Sequence, residues 1–252
     1  LWYFLNISRI LKDRRHIDER SWVSYKKDKG SCHPRKARLL LLAGSPCQVP
    51  VLILPYDLEM NGKKENITGR DFFCRDTAAV ARALLGKVLV SDRPPGLAAG
   101  IITETEAYYG TGDPASHAFR GMTPRSSIMF GKAGAAYIYL CYGVYWLLNV
   151  VTEKEGIPGA VLIRAVRPLR GIEVMQQRRG CAGLRGLADG PGKLTIAMGI
   201  DGCDNGTDMA LPGSSLYFTQ EYAGRVFDIE NTARIGITGG KDRLLRFVAV
   251  GL

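Results

Sequence analysis

The sequence predicts an α+β fold, one domain running from about residue 69 to the C-terminus. Three observations carry this. Short runs rich in Val, Ile, Leu and Tyr are bounded by Gly and Pro turns, which is the pattern of strands. Two or three helical windows have recognisable ends, and they do not alternate regularly with the strands. No internal repeat is present.

Asp76 is placed to cap a short helix that carries Val80 and Leu84 on one face, and Gly86 to end it. Val88–Ser91 reads as a strand, Pro94-Pro95-Gly96 as a turn and Gly100–Tyr109 as a second strand. Residues Gly110–Gly134 form a long loop of Gly, Pro, Ser and Arg, a length that tends to mark function. Tyr137–Cys141 and Tyr145–Val151 are strands flanking a tight turn at Tyr142-Gly143. Ala160–Val166 is another strand, followed by helical stretches at Gly171–Arg179 and Pro191–Met198, the latter with Pro in its first turn and Gly199 behind it. Strands return at Leu216–Phe218 and Leu245–Val250.

Residues 1–59 read differently. They hold about half of the net charge of +10 and no Met, and the first methionine is Met60. The apolar run Leu39–Leu54 is broken by Pro46 and Pro50 and is shorter than the roughly 20 residues a membrane helix needs. It also lies behind too long a basic lead for a signal peptide. The expectation is therefore a non-native or disordered N-terminal extension over 1–59, with the functional domain at 60–252; a genuine flexible basic arm is the alternative. No membrane association is expected.

The positive charge and the pI near 9.4 favour a polyanionic partner such as DNA or RNA. The six cysteines show no CxxC pair, and only His117 among the three histidines lies beyond residue 60. That spacing supports neither a zinc site nor a disulfide framework, so metal-independent chemistry is expected.

Three segments carry candidate chemistry. In Thr103-Glu104-Thr105-Glu106-Ala107-Tyr108 on a strand, Glu104, Glu106 and Tyr108 share one face. Two such carboxylates repel if buried, so at least one needs a partner or a task; a solvated strand face with a salt bridge is the plain alternative. His117 lies in the long loop among Arg120 and Arg125. The cluster from Tyr137 through Trp146 can serve as core packing, or its tyrosines can stack on bases.

These segments, with Thr123-Pro124-Arg125, Met129-Phe130, Asn149, Val161–Ala165, Gly190-Pro191-Gly192-Lys193-Leu194, Arg234-Ile235-Gly236 and Leu245-Arg246-Phe247, succeed one another as in the alkyladenine (3-methyladenine) DNA glycosylase family, which the chain resembles from about Gly69 to Leu252. The resemblance implies a curved antiparallel sheet with surrounding helices and a protruding β-hairpin. It implies hydrolysis of the N-glycosidic bond of flipped purines, of the 3-methyladenine, 7-methylguanine and hypoxanthine class, with no cofactor or metal. Glu106 matches the base that activates water, and Arg164 the residue that holds it ionised. Tyr108, His117 and Tyr139 match the walls of the base pocket, and Asn149 the residue that disfavours the 2-amino group of guanine. Tyr142 matches the side chain that fills the hole in the duplex, while Arg125 and Lys193 fall near phosphates. The implied partner is double-stranded DNA containing damaged purines, bound by a monomer in the cytoplasm or at the nucleoid if the source is bacterial.

Two positions depart from the family pattern: Ser126-Ser127 stands where Asn is more usual, and Val144 where Met is common. Both are expected at the DNA surface. A non-catalytic nucleic-acid-binding module is the alternative function, though it leaves Glu106 and Arg164 without a task. A carbohydrate hydrolase using Glu104 and Glu106 is disfavoured, because two residues on one face of one strand do not flank a bond.

Overall fold

The computed structural model describes residues 22–25, 35–38, 67–219 and 226–252. Backbone contacts divide the chain into two units, Leu1–Lys63 and Lys64–Leu252. In the first, β1 (Trp22–Tyr25) and β2 (Arg35–Arg38) form an antiparallel ribbon with Trp22 opposite Arg38. Apart from these two strands, the expectation for residues 1–59 lies outside the described residues.

In the second unit, α1 (Arg70–Phe73) is a single turn that buries Phe73. In α2 (Thr77–Leu84), Asp76 acts as the cap its side chain suits: Oδ1 accepts the N–H of Ala79 at 2.9 Å. Thr77, Val80, Ala81 and Leu84 are buried at helical spacing. Gly86 follows the helix with φ of 79°, and a side chain there would meet the Phe227 ring.

The strands β3 (Val88–Ser91), β4 (Ala98–Tyr109), β5 (Ala136–Cys141), β6 (Tyr145–Val151), β7 (Gly159–Arg170), β8 (Leu216–Thr219), β9 (Asp228–Thr232) and β10 (Arg246–Val250) form one antiparallel sheet. It is curled into a half-barrel, with order β5-β6-β7-β4-β10-β9 and with β8 joined to β4 through β3. The expected α+β architecture is thus observed.

β4 is the spine. One edge pairs with β7 along nearly its whole length. The other is shared by β3, against Ala98–Ile101, and β10, against Glu104–Glu106. Alternation then sorts the side chains of β4 into two environments. Thr105 faces the core, where its hydroxyl donates to the Ala81 carbonyl at 2.9 Å, and Ala107 is buried beside it. Glu104, Glu106 and Tyr108 face the other way. Register shifts around Glu104 leave Thr103 and Arg164 without a direct cross-strand partner, an irregularity that re-aims side chains.

α3 (Ile172–Arg179) and α4 (Pro191–Met198) close one flank, with α4 packed on α3, β6 and β7. The core contains Leu84, Ile102, Leu148, Ile163, Met175, Leu194, Phe218 and Phe247.

Four features differ from the sequence reading. β7 continues through Pro168, which is tolerated because β6 covers only Ala160–Leu162 and leaves that stretch of β7 at an edge. β9 is an exposed, polar edge strand without apolar alternation. The long loop contains a 3-10 turn at Ser127–Phe130 that buries Met129. α1 is too short to show a helical period.

Candidate active site

Glu106 is wholly buried, and its carboxylate is held by donors from three directions. Oε1 accepts the backbone N–H of Ile235 at 2.8 Å, and Oε2 accepts the Tyr108 hydroxyl at 2.7 Å. Arg164 Nη1 approaches the same Oε2 at 3.4 Å. A buried polar group needs hydrogen-bond partners, and both carboxylate oxygens have them. The shorter bond of Arg164, however, goes to Glu104, from Nε to Oε1 at 2.7 Å.

The Ile235 N–H is aimed by its neighbour. Arg234 and Asp113 form a bidentate pair, both side chains wholly buried, at 2.7 Å for each contact. Arg234 also donates to the Ala107 carbonyl at 2.9 Å and lies 4.7 Å from the Tyr108 ring centroid. Burial alone would raise the Asp113 pKa, but Arg234 and the N–H groups of Tyr109 and Ala115 hold it below the usual carboxylate range. Sequence reading did not find this pair. Its members stand 121 residues apart, and only Arg234 falls within one of the segments that carry the family resemblance.

The three partners of Glu106, Tyr108, Arg164 and Ile235, line a cavity of about 840 Å³, with Glu106 itself behind that wall. Tyr108, His117, Arg125, Tyr139, Tyr142, Asn149, Arg164 and Lys193 all line it, so the structure gathers the remaining expected site residues around one space. Tyr108 is pushed well above the ordinary phenol range, first by burial and then by the Glu106 charge, so it stays a proton donor. Tyr139 is raised too, chiefly by burial. His117 packs edge-on against Tyr139, with centroids 4.6 Å apart, and its Nδ1 lies 2.7 Å from the Tyr137 hydroxyl. Burial, and then the nearby Arg125, lower its pKa and favour the neutral imidazole. Asn149 sits opposite Tyr137 on β6 and donates from Nδ2 to its carbonyl at 3.1 Å.

Arg125 places its guanidinium 5.0 Å from the Tyr139 ring centroid. Lys193 is half-exposed at the rim and pairs with Asp189 at 2.8 Å. The start of α4 lies close against the hairpin because Gly192 has no side chain; a Cβ there would come within 2.7 Å of the Tyr145 ring. At the hairpin tip Tyr142 is 92% exposed. It and Gly143 both have positive φ, 51° and 69°, as a type I′ turn requires, and Val144 N–H closes the turn on the Cys141 carbonyl at 3.0 Å.

One expectation is corrected. Ser127 and Val144 are exposed, but Ser126 is completely buried. Its hydroxyl accepts the Thr123 N–H at 2.9 Å and donates to the Gly121 carbonyl at 3.1 Å, satisfying backbone groups inside the turn rather than facing DNA. Among the described residues, no three His, Cys, Asp or Glu side chains converge to hold a metal ion, and no helix is long and apolar enough to cross a membrane.

Comparison with known proteins gives this arrangement its class, that of the DNA-repair glycosylases, hydrolases that cut a base from its sugar. The chain belongs to the methylpurine-DNA glycosylase family, whose sequence model matches residues 71–251. It is 49% identical over 176 residues to a protein of Mesorhizobium japonicum, covering 70% of this chain and 83% of that one. A protein of Prosthecochloris aestuarii is 48% identical over 178 residues, 70% of this chain and 85% of its own length. One from Methanocella arvoryzae is 49% identical over 177 residues, 69% and 87% respectively. All three are provisionally named 3-methyladenine DNA glycosylase. The alternative of a non-catalytic binding module gives way to this membership.

Proposed function

We propose that the protein flips an alkylated or deaminated purine out of duplex DNA into the cavity in front of Glu106 and hydrolyses its bond to C1′ of deoxyribose. The observation that carries this is a wholly buried, triply held carboxylate behind the wall of an aromatic-lined cavity. In this reading Glu106 takes the proton of the attacking water, which enters beside Arg164 in place of the Tyr108 hydroxyl bond. Arg164 keeps Glu106 ionised by opposite charge. Tyr108, His117 and Tyr139 stack on and hydrogen-bond the flipped base, and electron-poor alkylated purines suit tyrosine faces. Asn149 disfavours the 2-amino group of normal guanine. Tyr142 enters the gap left in the duplex. Arg125 and Lys193 contact phosphates, which position the DNA without specifying sequence. The chemistry uses no metal, cofactor or lysine Schiff base.

The names of the relatives favour 3-methyladenine as substrate. Unstacking is cheapest at damaged pairs, and a cationic alkylated base is already a good leaving group, so 7-methylguanine fits the same scheme. Hypoxanthine, being neutral, needs more help at the leaving group. The protein acts as a monomer on chromosomal DNA, in the cytoplasm or nucleoid if the source is bacterial.

The test is release of free methylated purines from duplex DNA treated with dimethyl sulfate, by the full chain and by residues 60–252 alone. Both are expected to release 3-methyladenine at equal rates. No release above spontaneous depurination from either overturns the substrate reading. Loss in the shorter chain alone shows that residues 1–59 are needed.

Tyr142→Ala is expected to leave the melting temperature nearly unchanged, since the ring is 92% exposed, while weakening binding to lesion duplexes by about 1–3 kcal/mol. Melting curves and duplex titrations check this. Unchanged affinity would remove the wedge role.

A further inference from the structure

Two arginines flank Glu106: Arg164 pairs with it at 3.4 Å, while the close ion pair of Arg246 is to Glu104. Arg246 stands directly across from Glu106 in the β10–β4 register. Its guanidinium nevertheless bonds elsewhere, from Nε to Glu104 Oε1 at 2.6 Å and from Nη1 to Thr232 Oγ1 at 2.8 Å. Arg164 likewise spends its Nε on the same Glu104 oxygen at 2.7 Å and leaves only the 3.4 Å approach to Glu106. All three of these side chains are largely shielded from solvent, at 15% exposure for Glu104, 12% for Arg164 and 21% for Arg246. Pairing here is therefore screened far less than at the surface.

We infer that Glu104 is a positioning residue that draws both cations toward itself, so that Glu106 stays ionised without being saturated and can accept a proton from water. This rests on the reading of Glu106 as the base. A carboxylate in a close bidentate arginine pair has both oxygens engaged and its negative charge strongly stabilised, which makes it a poorer proton acceptor. Without Glu104, Arg164 keeps Glu106 as its one carboxylate contact, since its other ion pair is to Glu104. The other groups that bear on Glu106 are Tyr108 from its own strand, Tyr139 from β5, and from the 234–236 segment the Ile235 N–H, with Arg234 paired to Asp113. None of them substitutes for Glu104 in engaging Arg164.

The arrangement demands opposite responses from two substitutions. Glu104→Gln keeps the shape but removes a negative charge beside Glu106. Base release at pH 7 should fall by about ten-fold, and the acid limb of the pH–rate profile should move down by about one pH unit, the scale of one neighbouring charge. Arg246→Gln removes a positive charge and lets Glu104 engage Arg164 alone, so its acid limb should move up. The double variant, which still lacks the partner of Arg164 Nε, should keep a lowered acid limb, whereas simple cancellation of two charges would return it to the wild-type profile.

The experiment is single-turnover base release from dimethyl-sulfate-treated duplex DNA between pH 5 and 8, corrected for spontaneous release, with Glu106→Gln and melting temperatures measured in parallel. Opposed shifts with an inert Glu106→Gln support the inference. Shifts of the same sign, or none, with Glu106→Gln inert, overturn the positioning role while leaving the base reading intact. A Glu106→Gln variant near wild-type rate overturns the base and with it this inference. If Glu104→Gln fails to fold, the upward shift in Arg246→Gln decides the matter alone.

Discussion

Glu106→Gln is expected to lower base release from methylated duplex DNA by about 10²–10⁴-fold, the usual worth of a general base, while lesion binding is retained. The geometry separates the two effects. Glutamine can keep an oxygen toward the Ile235 N–H, now 2.8 Å from Oε1. The other arm becomes an NH2 that faces Arg164 and cannot take a proton. The side chain stays confined between β7 and β10, with Leu162 and Arg246 as its cross-strand partners, while the Tyr108 hydroxyl has to turn from donor to acceptor and the Arg164 contact is lost. The loss should fall toward the lower end for cationic 3-methyladenine and 7-methylguanine, which depart easily. Rates within ten-fold of wild type would show that another group, Glu104 foremost, activates the water.

Asp113→Ala should unfold most readily of the substitutions considered. It strands the Arg234 guanidinium, wholly buried, without its bidentate partner, and removing one member of a buried pair typically costs about 3–5 kcal/mol. Denaturant unfolding of the variant measures this, and a change below about 1 kcal/mol would mean that Arg234 finds another partner, for instance by swinging out to water. The same pair gives the fold an acid limit. Because the folded-state pKa of Asp113 is depressed, its contribution is fully present above the ordinary carboxylate pKa and is lost as pH falls through the lowered value. Asp113→Ala should therefore be less stable at neutral pH and lose less on acidification than the wild type. Activity should fall as well, since Arg234 fixes the segment whose Ile235 N–H anchors Glu106.

Elements with strong local signals were legible in the sequence. The strands Val88–Ser91 and Tyr145–Val151, apolar runs beside turn residues, and the helix Pro191–Met198, with Pro in its first turn and Gly behind it, agree residue for residue with the reading. β9 was not legible, since Asp-Ile-Glu-Asn-Thr has no buried face to impose a pattern. In the site, strand alternation was enough to put Glu104, Glu106 and Tyr108 together. The other two donors that hold Glu106 come from residues 58 and 129 positions away, and no spacing rule links such partners. Nor could sequence alone reveal that Arg164 binds Glu104 more closely than Glu106, which depends on the register shift in β4 and β7. Ser126 shows the reverse error: its place next to Arg125 suggested surface, while its hydroxyl was needed inside the turn.

The left-handed backbone of Tyr142, with φ of 51°, bears on how this enzyme would fare under directed evolution. A tyrosine in that conformation costs roughly 1–2 kcal/mol, whereas Gly or Asn adopts it readily. A library ranked by heat resistance alone would thus be drawn to position 142 early and would replace the aromatic ring with a small turn-former. The winners would survive a higher temperature and have lost the group proposed to open the duplex. Selection for a hardier variant therefore has to read excision alongside survival of heating, because at this residue the two pull in opposite directions.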